Sequence, residues 1–151
     1  MADIVIYSDG GCSPNPGLGG WAAVLISPKH KAEKTICGAE AESTNNRMEL
    51  TAAIEALKTL KRPCKVEFHT DSQYLKNAFT NGWIAKWLKN NWKTAGKKPV
   101  KNKDLWLELI ELEKIHKIQW NWIKGHSGDK YNEICDSLVL KAREDFKRAQ
   151  R

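Results

Sequence analysis

The stretch that decides the fold is TNNRMELTAAIEALKTLKRPCKVEFHT, residues 44–70, because the hydrophobic period changes within it. Apolar side chains recur at helical spacing over residues 48–60, which predicts a helix with Thr44 as its N-cap that ends before Pro63. Residues 65–70 then alternate charged with apolar side chains and predict a strand. A helix that leads directly into a strand predicts a crossover connection, and therefore parallel pairing within the sheet.

The sequence on both sides of this stretch predicts the remaining elements. Upstream, apolar runs predict three antiparallel strands over residues 4–7, 21–26 and 34–39. Downstream, the pattern predicts helices over 72–81, over 83–90, after a cap at Asp104 and over 131–147, with a fifth strand over 118–122. This order predicts an α/β fold in which helices flank a mixed sheet of five strands, within a single domain over residues 1–151.

The composition is that of a globular protein, and its charge favours a polyanionic partner. Of the 151 residues, 41% are hydrophobic and 28% charged, and a chain of this length buries about two-thirds of its surface on folding, enough for one core. The net charge of +7 makes nucleic acid the leading candidate partner. We expect no membrane segment, because the longest uncharged stretch, residues 10–28, contains five Gly and three Pro.

The start of the chain and the cysteines favour a cytoplasmic protein without a zinc site. The first residues lead directly into an apolar strand and lack the zones of a secretion signal. No pair of cysteines has the C-x-x-C spacing, which fits free thiols in a reducing compartment. The four are Cys12, Cys37, Cys64 and Cys135.

Four acidic residues occupy places where elements begin or end. Asp9 and Asp71 follow the first and fourth strands, and parallel pairing would bring these two strand ends together. Glu49 falls in the first turn of the helix that leads to the fourth strand, and Asp136 in the second turn of the last helix. Each also has an ordinary structural explanation, since Asp favours strand-to-turn positions and acidic residues favour first turns of helices.

Convergence of these four carboxylates would create a metal centre. Repulsion among four negative charges would force partial protonation unless cations supplied about four positive charges, which two Mg²⁺ ions do. In a basic protein such a centre fits phosphodiester hydrolysis, with one ion activating water and the other stabilising the leaving oxygen. No protein nucleophile is required, in agreement with the lack of a Ser-His-Asp or Cys-His arrangement in the sequence.

Five blocks of sequence resemble bacterial-type ribonuclease H, type 1. They occur in the family's order and span nearly the whole chain: SDGGCSPNPGLGG (8–20), TNNRMEL (44–50), TDSQYL (70–75), WKTAGKKPVKNKDLW (92–106) and IKGHSGDKYNEICD (123–136). The resemblance implies the ribonuclease H-like fold and endonucleolytic cleavage of the RNA strand of RNA–DNA hybrids, leaving 5′-phosphate and 3′-hydroxyl ends. It also implies that Mg²⁺ is the cofactor and that Mn²⁺ can substitute.

The resemblance assigns catalytic roles residue by residue. The family's metal-binding carboxylates match Asp9, Glu49, Asp71 and Asp136, and its mobile histidine matches His126. That histidine is associated with proton transfer or product release. Its place in the glycine-containing sequence GHSG fits a flexible loop before the last helix, where a near-neutral pKa would be useful.

The resemblance also implies which residues contact each strand of a hybrid. Those on the RNA side, where amides suit a 2′-hydroxyl that both donates and accepts, are Cys12, Asn15, Asn45, Asn46 and Gln73. Those on the DNA side are Thr44 and Asn102 at a phosphate pocket and Trp83 and Trp87 along a deoxyribose channel. The segment 86–103 holds seven lysines and no acidic residue, which fits the family's basic handle, and we expect Lys97, Lys98 and Lys101 to attract phosphates.

Other functions remain open from the sequence alone. A non-catalytic nucleic-acid-binding module could keep the fold, although the four carboxylates argue against one. A DNA nuclease of the same superfamily is a second alternative, against which the amides and the handle favour a hybrid substrate. The ribonuclease H part of a reverse transcriptase would need a polymerase domain. We expect a monomer without a separate hybrid-binding domain.

Overall fold

The computed structural model describes residues 2–94, 96–124 and 129–150. The elements follow the predicted order of three strands, helix, strand, three helices, strand and helix. They are β1 (Ile4–Cys12), β2 (Gly17–Ser27), β3 (Ala32–Ser43), α1 (Asn45–Lys58), β4 (Lys65–Thr70), α2 (Gln73–Thr80), α3 (Trp83–Lys89), α4 (Lys103–Ile115), β5 (Lys117–Trp122) and α5 (Lys130–Ala149).

The sheet is mixed and has five strands in the order β3-β2-β1-β4-β5. β2 pairs antiparallel with β1 and β3, whereas β4 pairs parallel with β1 and β5. The pairing of β1 with β4 stops at Ser8 and Thr70. Asp9 and Asp71 are the next residues along the chain, so the predicted approach of these two residues is confirmed.

The first strand is longer than predicted, and Asp9 lies within it rather than at its end. β1 continues to Cys12 because its ladder with β2 runs on through three more pairs, Gly10 with Trp21, Gly11 with Gly20 and Cys12 with Gly19. Glycine has low strand propensity, so the sequence pattern did not show this extension. The longer β1–β2 hairpin carries Asp9 out past the end of β4.

Helices cover both faces of the sheet. α1 packs on one face against β1, β2 and α4, and the core there includes Ile6, Leu50, Phe68 and Trp106, none of which is exposed. α5 packs on the other face against β1, β2 and β3. Alternate residues of β1 therefore face α1 and α5 in turn, since Ile6 belongs to the α1 core while Tyr7 contacts Tyr131 of α5.

Of the two predicted N-caps, Thr44 is confirmed and Asp104 is wrong. Thr44 is the N-cap of α1, as predicted, and its hydroxyl accepts from the Arg47 amide. Asp104 is not a cap: Asn102 occupies the N-cap position of α4, and Asp104 lies in the first turn and pairs with Arg47. Asn102 has φ 62° and makes no side-chain cap bond, which the sequence could not indicate because Asp and Asn are both favoured caps. Among the described residues, no helix combines the length and apolarity needed to cross a membrane.

Candidate carboxylate site

Three of the four carboxylates line one cavity. Asp9 of β1, Asp71 after β4 and Asp136 of α5 border a space of about 180 Å³, whose wall also includes two other residues of α5, the buried Asn132 and the half-buried Arg143. β1 and β4 contribute through their parallel pairing, and α5 contributes by packing over β1. The three residues come from parts of the chain that only the fold brings together.

The fourth carboxylate, Glu49, reaches the site because α1 touches β1 at a glycine. A Cβ on Gly10 would lie 2.4 Å from the Met48 carbonyl carbon and 2.7 Å from the Glu49 amide nitrogen. The two backbones are therefore in direct contact beside Asp9. The sequence analysis predicted Glu49 in the first turn of α1, and this is wrong. The helix begins at Asn45, so Glu49 is its fifth residue and lies after the first turn.

Ser72 orients Glu49, and sequence reasoning missed it. The Ser72 hydroxyl donates a short hydrogen bond to Glu49 Oε2 and accepts from the Leu75 amide at 3.1 Å as the N-cap of α2. Ser72 is buried. The available signal was a favoured capping residue directly after Asp71.

The electrostatics of the site favour a bound cation. Burial, followed by the charge of Asp71, raises the pKa of Asp9 to about 7, and Asp136 and Glu49 add to the effect. Burial, followed by Asp71, raises the pKa of Glu49 to about 7 against the opposing hydrogen bond from Ser72. These carboxylates repel one another, and positive charge between them would relieve that repulsion.

The fit of a metal rests on the chemistry of these donors. All four are carboxylates, the ligands that Mg²⁺ and Mn²⁺ prefer. Within the three described ranges, no group of three or more His, Cys, Asp or Glu side chains lies in an arrangement that could hold a metal ion. His126, the remaining predicted catalytic residue, lies outside the described residues.

Three of the five residues predicted for the RNA side meet beside the β1–β2 turn. The Cys12 amide donates to Asn45 Oδ1 at 2.7 Å, and the Asn45 amide donates to Asn15 Oδ1 at 3.1 Å. These bonds use the two side-chain oxygens and leave the amide NH₂ groups as donors. Asn46 and Gln73 are exposed at the starts of α1 and α2.

The residues predicted for the phosphate pocket are joined by Arg47, which sequence reasoning did not single out. Its amide donates to the Thr44 hydroxyl at 3.2 Å, and its Nη1 donates to Asn102 Oδ1 at 3.1 Å. Its Nη1 and Nη2 also donate to the two carboxylate oxygens of Asp104, at 3.1 and 2.9 Å. Asn102 Nδ2 donates to the Tyr74 hydroxyl. Thr44 and Asn102, which are 58 positions apart, therefore share one network.

The predicted tryptophans and lysines occupy different environments. Trp83 and Trp87 share a face of α3, with ring centroids 6.1 Å apart, and both are half-buried. Trp87 also packs against Trp92 and the buried Trp106, so only part of this surface is free. The lysines between α3 and α4 are exposed, including Lys97, Lys98 and Lys101.

Sequence comparisons connect the chain to one family. The RNase H family profile matches residues 1–144. A ribonuclease H of Caldanaerobacter subterraneus subsp. tengcongensis is 60% identical over 136 residues, covering 90% of this chain and 88% of the relative. A ribonuclease H of Hydrogenovibrio crunogenus is 56% identical over 146 residues, covering 97% and 99%.

Solved structures show the same architecture. LC9-RNase H1, described as a type 1 RNase H with the type 2 active-site motif, superposes with a TM-score of 0.81 at 26% identity, covering 94% of this chain and 72% of that one. LC11-RNase H1 in complex with an RNA/DNA hybrid has a TM-score of 0.68 at 23% identity, covering 94% and 97%. The fold implied by the sequence resemblance is confirmed.

Proposed function

The chain belongs to the ribonuclease H family of nucleases, and from this premise we propose that it hydrolyses the RNA strand of RNA–DNA hybrids with two Mg²⁺ ions. The observation that carries the proposal is the placement of Asp9, Asp71 and Asp136 around one cavity, with Glu49 held beside it. The net charge of +7 supports a polyanionic substrate.

The four carboxylates would hold the ions. Two Mg²⁺ ions would balance the four negative charges, and Mn²⁺ fits the same oxygen donors. Bound divalent ions supply activation of the attacking water and stabilisation of the leaving 3′ oxygen, which agrees with 5′-phosphate and 3′-hydroxyl products. The role of the protein is to hold the carboxylates at a fixed spacing, and Ser72 does so for Glu49.

Two further parts of the proposal concern proton transfer and recognition of the RNA strand. We assign to His126 an auxiliary role in proton transfer or product release, on its sequence context alone. The amide donors of Asn15 and Asn45 suit the 2′-hydroxyls of the RNA strand, as do the side chains of Asn46 and Gln73 on exposed helix starts. Cys12 would contribute through its backbone.

A separate set of residues would contact the DNA strand. Thr44 and Asn102, joined by Arg47, suit a DNA phosphate. Trp83 and Trp87 suit a deoxyribose edge, and the exposed lysines of the handle, including Lys97, Lys98 and Lys101, suit further phosphates. The solved complex of LC11-RNase H1 with an RNA/DNA hybrid supports this class of substrate.

The test is cleavage of an end-labelled RNA–DNA hybrid with Mg²⁺, beside matched RNA–RNA and DNA–DNA duplexes. The wild type should cut only the RNA strand of the hybrid, and Asp9→Asn should abolish cutting. Asp145→Asn, on the exposed part of α5, is the matched control and should cut normally. Binding of the hybrid without cutting would indicate a recognition module, and cutting of DNA would indicate a DNA nuclease of the same superfamily.

We further propose that residues 1–151 act as one catalytic domain, as a monomer and in the cytoplasm. Sedimentation of the purified protein with and without hybrid tests the oligomeric state. A mass corresponding to two chains at working concentration would contradict the monomer.

A further inference from the structure

Arg143 shares a face of α5 with the metal-site carboxylate Asp136. The two residues are seven positions apart, which is about two helical turns, and Val139 and Leu140 lie between them on the same side. All four line the cavity that Asp9 and Asp71 also line. The cavity therefore has carboxylates at one part of its wall and a guanidinium at another.

The packing of the Arg143 stem places its charged group in this wall. A Cβ on Gly20 would lie 2.8 Å from Arg143 Cγ and 2.7 Å from the Val139 carbonyl oxygen, so the stem lies directly on the backbone of β2. Any larger residue at position 20 would displace it. A half-buried stem seated on a rigid sheet has fewer rotamers available than a free surface arginine.

The guanidinium retains unused hydrogen-bonding capacity. Its Nε is buried and has no hydrogen-bond partner within the described ranges of the chain. Its Nη2 donates to the Ser13 carbonyl oxygen at 3.4 Å, a long bond. Among the residues that the structure describes, no carboxylate forms an ion pair with Arg143, whereas Arg47 and Arg148 both have one. A buried N–H without a partner is costly, and an arriving acceptor would satisfy it.

The surroundings of Arg143 indicate what that acceptor is. Arginine remains charged at any ordinary pH and presents planar donors that match phosphate oxygens. Ser13, which Nη2 contacts, belongs to the turn between Cys12 and Asn15, the residues proposed for the RNA side. The charge of Arg143 also reaches the Cys12 thiol, where it opposes the rise in pKa that burial causes.

We propose that Arg143 is a further substrate-binding residue, whose guanidinium binds a phosphate of the RNA strand next to the carboxylate site. This inference rests on the proposed function, since it requires an RNA strand in the cavity. The bound phosphate would offset the positive charge of Arg143, and this contact would hold the RNA strand against α5 beside Asp136.

The experiment compares Arg143→Met, which keeps an unbranched apolar stem on Gly20, with Arg143→Lys, which keeps the charge. Arg148→Ala is the control, because Arg148 lies on the same helix but is largely exposed. For cleavage of the hybrid in Mg²⁺, Arg143→Met should raise KM about tenfold with kcat nearly unchanged. The slope of log KM against log salt should fall by about one unit, and Arg143→Lys should recover most of that slope.

A scan with single methylphosphonates along the RNA strand locates the contact. The wild type should lose affinity when one particular phosphate is neutralised, and Arg143→Met should lose nothing more at that position. Thermal unfolding of each variant separates this result from misfolding. A KM and salt slope equal to the wild type in Arg143→Met, or an equal loss at every scanned phosphate, would overturn the inference while leaving hybrid cleavage intact. Failure of the wild type to cut the hybrid would instead overturn the proposed function, and this inference with it.

Discussion

The contact between β1 and α1 at Gly10 should make this glycine important for both stability and catalysis. In Gly10→Ala the new Cβ would meet the Met48 carbonyl carbon and oxygen at 2.4 Å, whereas ordinary contact begins at 3.4 Å. The obstacle is helix backbone, so no side chain can rotate away. α1 must therefore move from β1 by about 1 Å, and Glu49 must move with it.

The expected magnitudes follow from that displacement. Overpacking of a well-packed core costs about 1–3 kcal/mol of unfolding free energy, and each kcal/mol lowers the Tm of a domain this size by roughly 2–4 °C. A misplacement of about 1 Å in a catalytic group can reduce the rate about 100-fold. We therefore expect Gly10→Ala to fold with a reduced Tm and to lose most of its kcat on the hybrid.

The adjacent glycine provides the control for this prediction. A Cβ on Gly11 would meet only Asn45 Oδ1 at 3.5 Å, an ordinary contact. Gly11→Ala should therefore keep its Tm within a few degrees of the wild type and should keep its kcat. Denaturant unfolding and steady-state cleavage of both variants are the assays. Equal kcat in Gly10→Ala and the wild type would refute the argument that this contact positions Glu49.

Three further predictions concern the phosphate network, the acid stability and the metal site. Asp104→Ala should release Arg47 and raise KM for the hybrid by up to about fivefold at unchanged kcat, because an exposed ion pair contributes about 0.2–1 kcal/mol; a fall in kcat alone would contradict this. The buried His116 accepts a hydrogen bond from the Cys64 amide, and burial lowers its pKa below 6.5. Its contribution to stability is therefore complete above about pH 6.5 and is lost as the pH falls. In His116→Gln, the free energy of unfolding measured with urea should depend less on pH below about pH 6.5. Because the pKa values of Asp9 and Glu49 are raised to about 7, Mg²⁺ binding should release protons and should weaken as the pH falls through about 7. Calorimetry in buffers of different ionisation enthalpy should then give a binding heat that depends on the buffer. A binding heat independent of the buffer would contradict this prediction.

The order and type of the elements could be predicted from sequence because their signals are local. The helical period after Thr44 and the alternation over Lys65–Thr70 depend on neighbours within a few residues, and the structure confirms both elements. The meeting of Asp9 with Asp71 was also predictable, because the crossover dictates parallel strands. Five blocks of sequence in one order then identified the family, which the comparisons confirm.

What the sequence alone could not determine depends on contacts between distant segments. The Asn102 side chain does not cap its own helix but forms hydrogen bonds with Arg47 and Tyr74. Neither partner is a neighbour of Asn102 in the sequence. Ser72 binds Glu49 only because α1 and the end of β4 meet in space.

The composition and local period of this chain determined that it is a basic α/β protein with acidic residues at element boundaries. The tertiary structure alone decided which polar groups of the site have no partner among the described residues and which are already hydrogen-bonded. It left Arg143 with a buried Nε, but it engaged the Oδ1 atoms of Asn15 and Asn45. The physical reason is that hydrogen bonding and desolvation are fixed by packing between α5, α1 and the β1–β2 hairpin, which are far apart in the chain.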